Sequence, residues 1–437
     1  MTLLDELCDW LRIPSVSIGE ADPRELERAA TWVVDRVQGA GGEARLVTID
    51  GGHPLAVGEL RATTPDAPTV LIYGHYDVQG PGDVSAWTSP PFEPEVRDGR
   101  LYARGAADDK GNFWPLLAVA CELAASGELP VNVRAIVEGE EEIGGESVGQ
   151  WLRADERGAE AAIVFDAGGE DPDVPTVTVG LRGLVQLHVR VRTGERDLHS
   201  GLYGGAALNA AHVLHQMLAT VVPAPGDRVR DELRFGIAAP APAERASWQR
   251  LKSGDQVLSD VGARAIDPRA AAQFYERNWA DASLDVNEIV TGEPRTVIPS
   301  TAKATVSLRL APRQRAAEIA PVLEGLLRNA APPSAEVAFE RNLADSALFD
   351  VDDPVLRLAG RALERASGTP TLFIRSGGSI PIVADLADRG IPTVVSGFAV
   401  PADRIHAPDE SYRLRSLELG EAAARELLRA LGSLHQS

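Results

Sequence analysis

The sequence predicts an α/β protein in which a largely parallel sheet with helices on both faces is interrupted by an inserted α+β domain. Three observations predict it. Short β-branched runs, "TVLIYG", "VNVRAIVEG", "AAIVFD" and "IPTVVSGF", alternate with helical patterns, as parallel strands joined by covering helices do. From about Val177, "TVTVGLRGLVQLHVRVRT" and "TAKATVSLRLAP" alternate apolar and polar residues instead, the mark of half-exposed antiparallel strands. After residue 345 the first texture returns. The predicted boundaries are therefore 1–177 with 346–437 for the outer domain and 178–345 for the insertion.

The elements follow in order. "ELERAATWVVDRVQGA" and "NFWPLLAVACELAASG" are helices around the first strand, and "GGAALNAAHVLHQMLA" and "RAAEIAPVLEGLLRNA" are the helices of the insertion. The long stretch rich in Pro and Ala between them reads as irregular. "VLRLAGRALERASG", "IPIVADLADRG" and "LELGEAAARELLRALGSL" are the closing helices. No internal repeat is visible.

With 437 residues the chain has length for two or three domains, and 44% hydrophobic with 24% charged residues describes a soluble globular protein. No segment is apolar for the length of a membrane helix, and the acidic, amphipathic start "MTLLDELCDWL" is unlike a secretory signal, so the cytoplasm is expected. Two cysteines make neither a disulfide framework nor a thiolate metal site, which leaves imidazole and carboxylate as metal ligands. A formal charge of −21 argues against nucleic acid or anionic lipid as partner.

Four predicted strands share one property. "TVLIYG" leads into His75 and Asp77, "VNVRAIVEG" into Glu140, Glu141 and Glu142, "AAIVFD" into Asp166, and "IPTVVSGF" into a loop with His406. The carboxyl edge of an open parallel sheet is its ligand crevice, so these side chains converge. His, Asp and Glu without sulfur suit zinc or another divalent metal. His75 and Asp77 lie two apart on an extended segment and share a face, so Asp77 can accept the second ring N–H of His75. In "RGAADDKGN" Asp108 and Asp109 are adjacent, so one can serve a metal while the other caps the following helix. Three or more facing carboxylates repel unless cations lie among them, and the charge count favours two metals sharing a carboxylate.

"GHYDVQ", "ARGAADDKG", "EGEEEIGG" and "IHAPDE", in this order at strand ends, resemble the dinuclear-zinc exopeptidase family of carnosinase-type dipeptidases, glutamate carboxypeptidases, aminoacylases and succinyl-diaminopimelate desuccinylases. "DLHSGLYGG", "RTVIP", "SLRLAP" and "GGSIP" resemble its dipeptidase branch. The resemblance implies two divalent ions, zinc first and Mn or Co as alternatives. His75 and Asp166 would hold one, Glu142 and His406 the other, and Asp108 would bridge them across a cis Asp108–Asp109 peptide. Glu141 would be the general base, and His199 an oxyanion donor supplied by the partner subunit of a homodimer. The insertion would then be a lid and dimerisation domain. Thr296, Arg309, Gly378 and Ser379 would hold the substrate's C-terminal end, Arg309 as a bidentate carboxylate ligand and Gly378–Ser379 at a helix start.

The sequence departs from the family pattern twice. Gly145 replaces a common serine, an expected harmless change. "AGG" after Asp166 replaces the longer polar segment of carnosinase-like members, which leaves amino-end specificity open. The function so implied is hydrolysis of dipeptides or short peptides. The alternatives are an N-acyl-amino-acid or succinyl-diamino-acid amidohydrolase on the same site, and a catalytically inactive ligand-binding homologue.

Overall fold

The apolar runs form a parallel core in the computed structural model, which describes residues 2–19, 21–378 and 380–436. The chain divides into two units: Met1–Val179 with Phe349–Ile374 and Pro381–Ser437, and Gly180–Leu348 with Arg375–Ile380. The short return of residues 375–380 to the second unit was not expected. Its cause is local: the Arg375 guanidinium, 1% exposed, is held by the Glu244 carboxylate of the same unit.

In the first unit, strands Asn132–Glu138, Thr69–His75, Ala161–Phe165 and Thr393–Ser396 lie side by side and parallel. Leu55–Leu60 and then Glu43–Val47 extend the sheet antiparallel on one side. On the other, Thr178 of strand Thr176–Leu181 pairs antiparallel with Val395. Apart from their half-buried first residues Thr69 and Asn132, the parallel strands are buried along their length, which is why they read as continuous Val/Ile/Leu runs and not as alternating ones. Helix Leu414–Leu431 packs against both Lys110–Ser126 and Pro354–Ser367, and Ser147–Ala154 pairs with Pro381–Asp388.

One glycine sets the depth of this packing. A Cβ on Gly74 would lie 2.3 Å from the Phe113 ring, so only glycine lets helix Lys110–Ser126 rest on the strand that ends in His75. The helix start, with Asp108 and Asp109 before it, is thereby brought to the carboxyl end of that strand.

The second unit contains a four-stranded antiparallel sheet in the order Ser283–Thr291, Thr301–Leu310, Gly183–Arg192, Glu336–Ala344. Val185, Leu187, Val189 and Val191 alternate inward and pack with Val213, Leu214 and Met217 of helix Ala210–Ala219 and Ile319, Leu323 and Leu327 of helix Ala316–Asn329. Two expectations need correction. "TVTVGLRGLVQLHVRVRT" is two strands broken at Arg182, and only the second, Gly183–Arg192, alternates; Thr176–Leu181 is buried throughout. The stretch expected to be irregular contains four short helices, Pro242–Trp248, Gly254–Asp260, Pro268–Ala272 and Phe274–Trp279. Each is seven residues or fewer, too short to show a helical period.

Candidate metal centre

The carboxyl ends of the parallel strands bring six chemically active side chains together. One ligand atom each from His75, Asp109 and Asp166 lie within 4.8 Å of one another, and so do ligand atoms of Asp108, Glu142 and His406. Asp108 joins the groups: its Oδ1 is 3.1 Å from His75 Nε2 and its Oδ2 is 2.9 Å from His406 Nε2. His75 Nε2 is also 3.9 Å from Asp166 Oδ1, and His406 Nε2 is 3.1 Å from Glu142 Oε2. The Asp108–Asp109 peptide is cis.

The opening pair of the crevice behaves as its spacing suggests, with one addition. His75 Nδ1 lies 3.3 Å from Asp77 Oδ1 and 3.0 Å from the carbonyl oxygen of the same residue. The carbonyl oxygen accepts, so Nδ1 carries a hydrogen, and Nε2 is the ring nitrogen turned towards Asp108 and Asp166. Asp77 is itself fixed, its Oδ2 accepting from Ser17 Oγ at 2.7 Å and from the Glu142 backbone N–H at 3.2 Å.

The expectation that one of the adjacent aspartates caps the helix fails. Asp109 stands at the N-cap position of Lys110–Ser126 but makes no side-chain cap bond. Its Oδ2 accepts from the His75 backbone N–H at 3.2 Å, and its buried Oδ1 has no hydrogen-bond partner. Both Asp108 and Asp109 therefore face the cluster, so Asp109 is a ligand candidate that was missed.

The electrostatics ask for positive charge. Burial, reinforced by Asp166, raises the Asp109 carboxyl well above its usual value. Burial does the same to Asp166, with Glu141 and Asp108 adding to it and His75 opposing it. Burial pushes Glu141 up to about 7 against the pull of His75. The imidazoles respond in kind. Hydrogen bonds to Asp108 and Glu142 raise His406 to about 10, and His75 is raised well above its usual value because bonds to Asp108 and Asp77 outweigh its burial. Burial also works against the Asp108 carboxylate, but the His406 and His75 bonds hold its pKa low. So many buried carboxylates are costly without cations between them. The orphaned Asp109 oxygen and an all-imidazole, all-carboxylate donor set fit divalent ions.

Supporting residues complete the frame. Glu410, fully buried, accepts from Ala107 N–H at 2.9 Å, Asp108 N–H at 3.1 Å and Gly105 N–H at 3.1 Å, and pairs with Arg104 at 2.5 Å. Asn112 donates to the Ala167 carbonyl at 3.0 Å and accepts from Phe398 N–H at 3.0 Å, tying the segment after Asp166 to the one leading to His406. The "AGG" segment is narrow for a further reason: a Cβ on Gly168 would lie 1.9 Å from the Ala399 carbonyl oxygen. Neither role was read from sequence, although Glu410 closes "IHAPDE" and Asn112 closes "RGAADDKGN".

The remaining predicted residues lie in the second unit. His199, exposed, pairs with Val297, beside Thr296, whose carbonyl accepts from Ser200 N–H at 3.0 Å. His199 Nδ1 accepts from Gly201 N–H at 3.1 Å, which leaves the hydrogen of the neutral ring on Nε2. Half-buried Arg309 lies on strand Thr301–Leu310, and the Gly378 N–H donates to Ser376 Oγ at 3.1 Å. Ser379 lies outside the described residues.

Comparison with known proteins settles the lineage. The sequence model of peptidase family M20/M25/M40 matches residues 71–430. The chain belongs to that family. Among M20/M25/M40 relatives, the cysteinylglycine-S-conjugate dipeptidase of Corynebacterium striatum is 31% identical over 426 residues, covering 93% of this chain and 90% of its own. The Cys-Gly metallodipeptidase dug1 of Schizosaccharomyces pombe is 28% identical over 75% of this chain and 72% of its own. The M20 family metallo-carboxypeptidase of Sulfolobus solfataricus superposes with a TM-score of 0.87 at 24% identity, covering 99% of this chain and all of its own, which shows the shared fold. The resemblance carried by the four strand-end motifs is thus borne out. Among the described residues, no helix is long and apolar enough to cross a membrane.

Proposed function

We propose that this M20/M25/M40 member is a metal-dependent dipeptidase acting in the cytoplasm as a homodimer. The observation that carries the reading is the Asp108 carboxylate, placed against both histidines at the edge of a parallel sheet. Two divalent ions, zinc by preference, would be held by His75 and Asp166, by Glu142 and His406, and by Asp108 between them. The dipeptidases among its relatives support a small peptide as substrate, and cysteinylglycine and its S-conjugates are the first to try.

Bound cations would lower the pKa of a water and polarise the scissile carbonyl. Glu141, next to ligand Glu142 and outside both ligand groups, takes the proton of the attacking water and passes it to the leaving amine. Asp77 keeps His75 in the tautomer that leaves Nε2 unprotonated. His199 of the partner subunit donates its Nε2 hydrogen to the developing oxyanion. Thr296, Arg309, Gly378 and Ser379 hold the substrate's C-terminal end. The inserted unit acts as lid and dimer surface.

The test is amino-acid release from a panel of dipeptides and N-acyl-amino-acids by protein reconstituted with Zn or Mn, with Glu141→Gln as control. Dipeptide cleavage that the control loses supports the reading. Cleavage of acyl-amino-acids alone makes the protein an amidohydrolase, and silence with metal bound makes it a ligand-binding homologue.

A further inference from the structure

The second unit contains a buried guanidinium that touches no carboxylate among the described residues. Arg182, 3% exposed, sits at the break between strands Thr176–Leu181 and Gly183–Arg192. Burying an unpaired charge is expensive, so a buried arginine is ordinarily met by a carboxylate; Arg375 with Glu244 and Arg104 with Glu410 show the rule in this chain. Arg182 breaks it. Its donors reach only neutral acceptors: Ser283 Oγ at 2.6 Å, Asn278 Oδ1 at 3.3 Å and the Arg309 carbonyl at 3.3 Å. Its Nε is buried with no partner among the described residues.

What surrounds it gives the missing charge a sign and a place. Arg309, whose carbonyl Arg182 holds, has no hydrogen bond or ion pair of its own guanidinium to a described residue. The Arg182 backbone N–H donates to the Ser376 carbonyl at 3.3 Å, and a Cβ on Gly377 would lie 3.7 Å from Asn278 Oδ1, so the turn bearing Gly378 belongs to the same cluster. Burial and the neighbouring Arg309 charge lower Arg182 to about 10, with exposed Asp285 the acid that opposes them. Two guanidiniums, one buried and one half-buried, thus share a corner with a glycine turn, and among the described residues neither touches a carboxylate.

We propose that Arg182 is a specificity-determining residue, the uncompensated second charge behind Arg309 that makes this site select a free C-terminal carboxylate over a neutral end. This rests on the reading of Arg309 as the residue that meets that carboxylate. Arg182 acts through it: it fixes the Arg309 backbone and adds field to the subsite without touching substrate. The substrate carboxylate becomes the counter-ion both arginines lack, so removing one charge weakens binding of the carboxylate and not of an uncharged analogue.

The experiment measures kcat/KM for cysteinylglycine and for its C-terminal amide with the metal-loaded enzyme, its Arg182→Gln and Arg182→Lys variants, and Asp285→Asn. The carboxylate-to-amide ratio is expected to fall about tenfold in Arg182→Gln, mostly through KM of the acid, and to survive largely in Arg182→Lys. Asp285→Asn, an exposed change that spares the buried network, is expected to raise the ratio. A purely structural Arg182 would lower both substrates alike. That result, or an unchanged ratio in both Arg182→Gln and Asp285→Asn, overturns the proposal. A wild-type enzyme that cleaves neither compound nor any other dipeptide overturns the dipeptidase reading itself and this proposal with it, and is recognised before any variant is made.

Discussion

Asp108 Oδ1 lies 3.1 Å from His75 Nε2 while its Oδ2 lies 2.9 Å from His406 Nε2, so one carboxylate ties the end of strand Thr69–His75 to the loop that bears His406. Asp108→Asn keeps the shape and removes the charge. Residues that merely orient a ligand cost about 10–100-fold in metal affinity when replaced, so the loss here is expected to exceed that range. Competition with a chromophoric chelator measures it.

Glu410 anchors the Asp108 loop through three backbone N–H groups and shares burial with Arg104. Glu410→Ala strands a guanidinium that is 1% exposed and is expected to destabilise the fold by about 3–5 kcal/mol. Replacing Arg104 and Glu410 together by methionine is expected to recover much of that stability in urea denaturation, while activity stays low because the Asp108 loop has lost its acceptors.

Gly145 lies in the turn that follows Glu141 and Glu142. A Cβ there would lie 2.3 Å from the Glu140 Cβ and 2.4 Å from its Oε2, while Glu140 accepts from His53 N–H at 2.7 Å and Ser147 N–H at 3.3 Å. Glu140 fills the space a serine side chain would occupy. Gly145→Ser is expected to cost about 1–3 kcal/mol by overpacking and to lower kcat more than it raises KM, which steady-state kinetics and denaturation together resolve.

Burial pushes the Cys121 thiol up to about 12 and raises Cys8, which Arg12 partly offsets. The thiolate is the reactive form, so neither cysteine of the folded protein is expected to react quickly with a disulfide reagent at pH 8, whereas both do in denaturant. The sign for stability follows. Above about pH 8.5 the unfolded chain gives up the Cys121 proton first, so stability falls as pH rises towards 12.

The candidate ligands His75, Glu142 and Asp166 were legible because each ends or closely follows a buried strand, where a polar residue has little other reason to stand, and because strand ends converge in a parallel sheet; Asp108 and His406 stand on loops and were legible only through their motifs. Asp109 was not legible as a ligand candidate, because adjacent side chains diverge in a trans backbone, whereas in the folded chain the carboxylates of both Asp108 and Asp109 join the cluster. Glu410 and Asn112 act over about 300 residues of sequence, a distance that no local pattern encodes. In the sequence Arg182 is one more polar residue of an alternating run, whereas the absence of a contacting carboxylate among the described residues is a property of the folded neighbourhood alone.

The most direct test of the central claim is metal titration of chelator-stripped protein, following cysteinylglycine hydrolysis against bound Zn or Mn. The account predicts no activity in the stripped protein, recovery that completes as two ions bind per chain, and no recovery in Glu141→Gln at the same metal content. Full activity in the stripped protein, or recovery complete at one ion with no second bound, would contradict it.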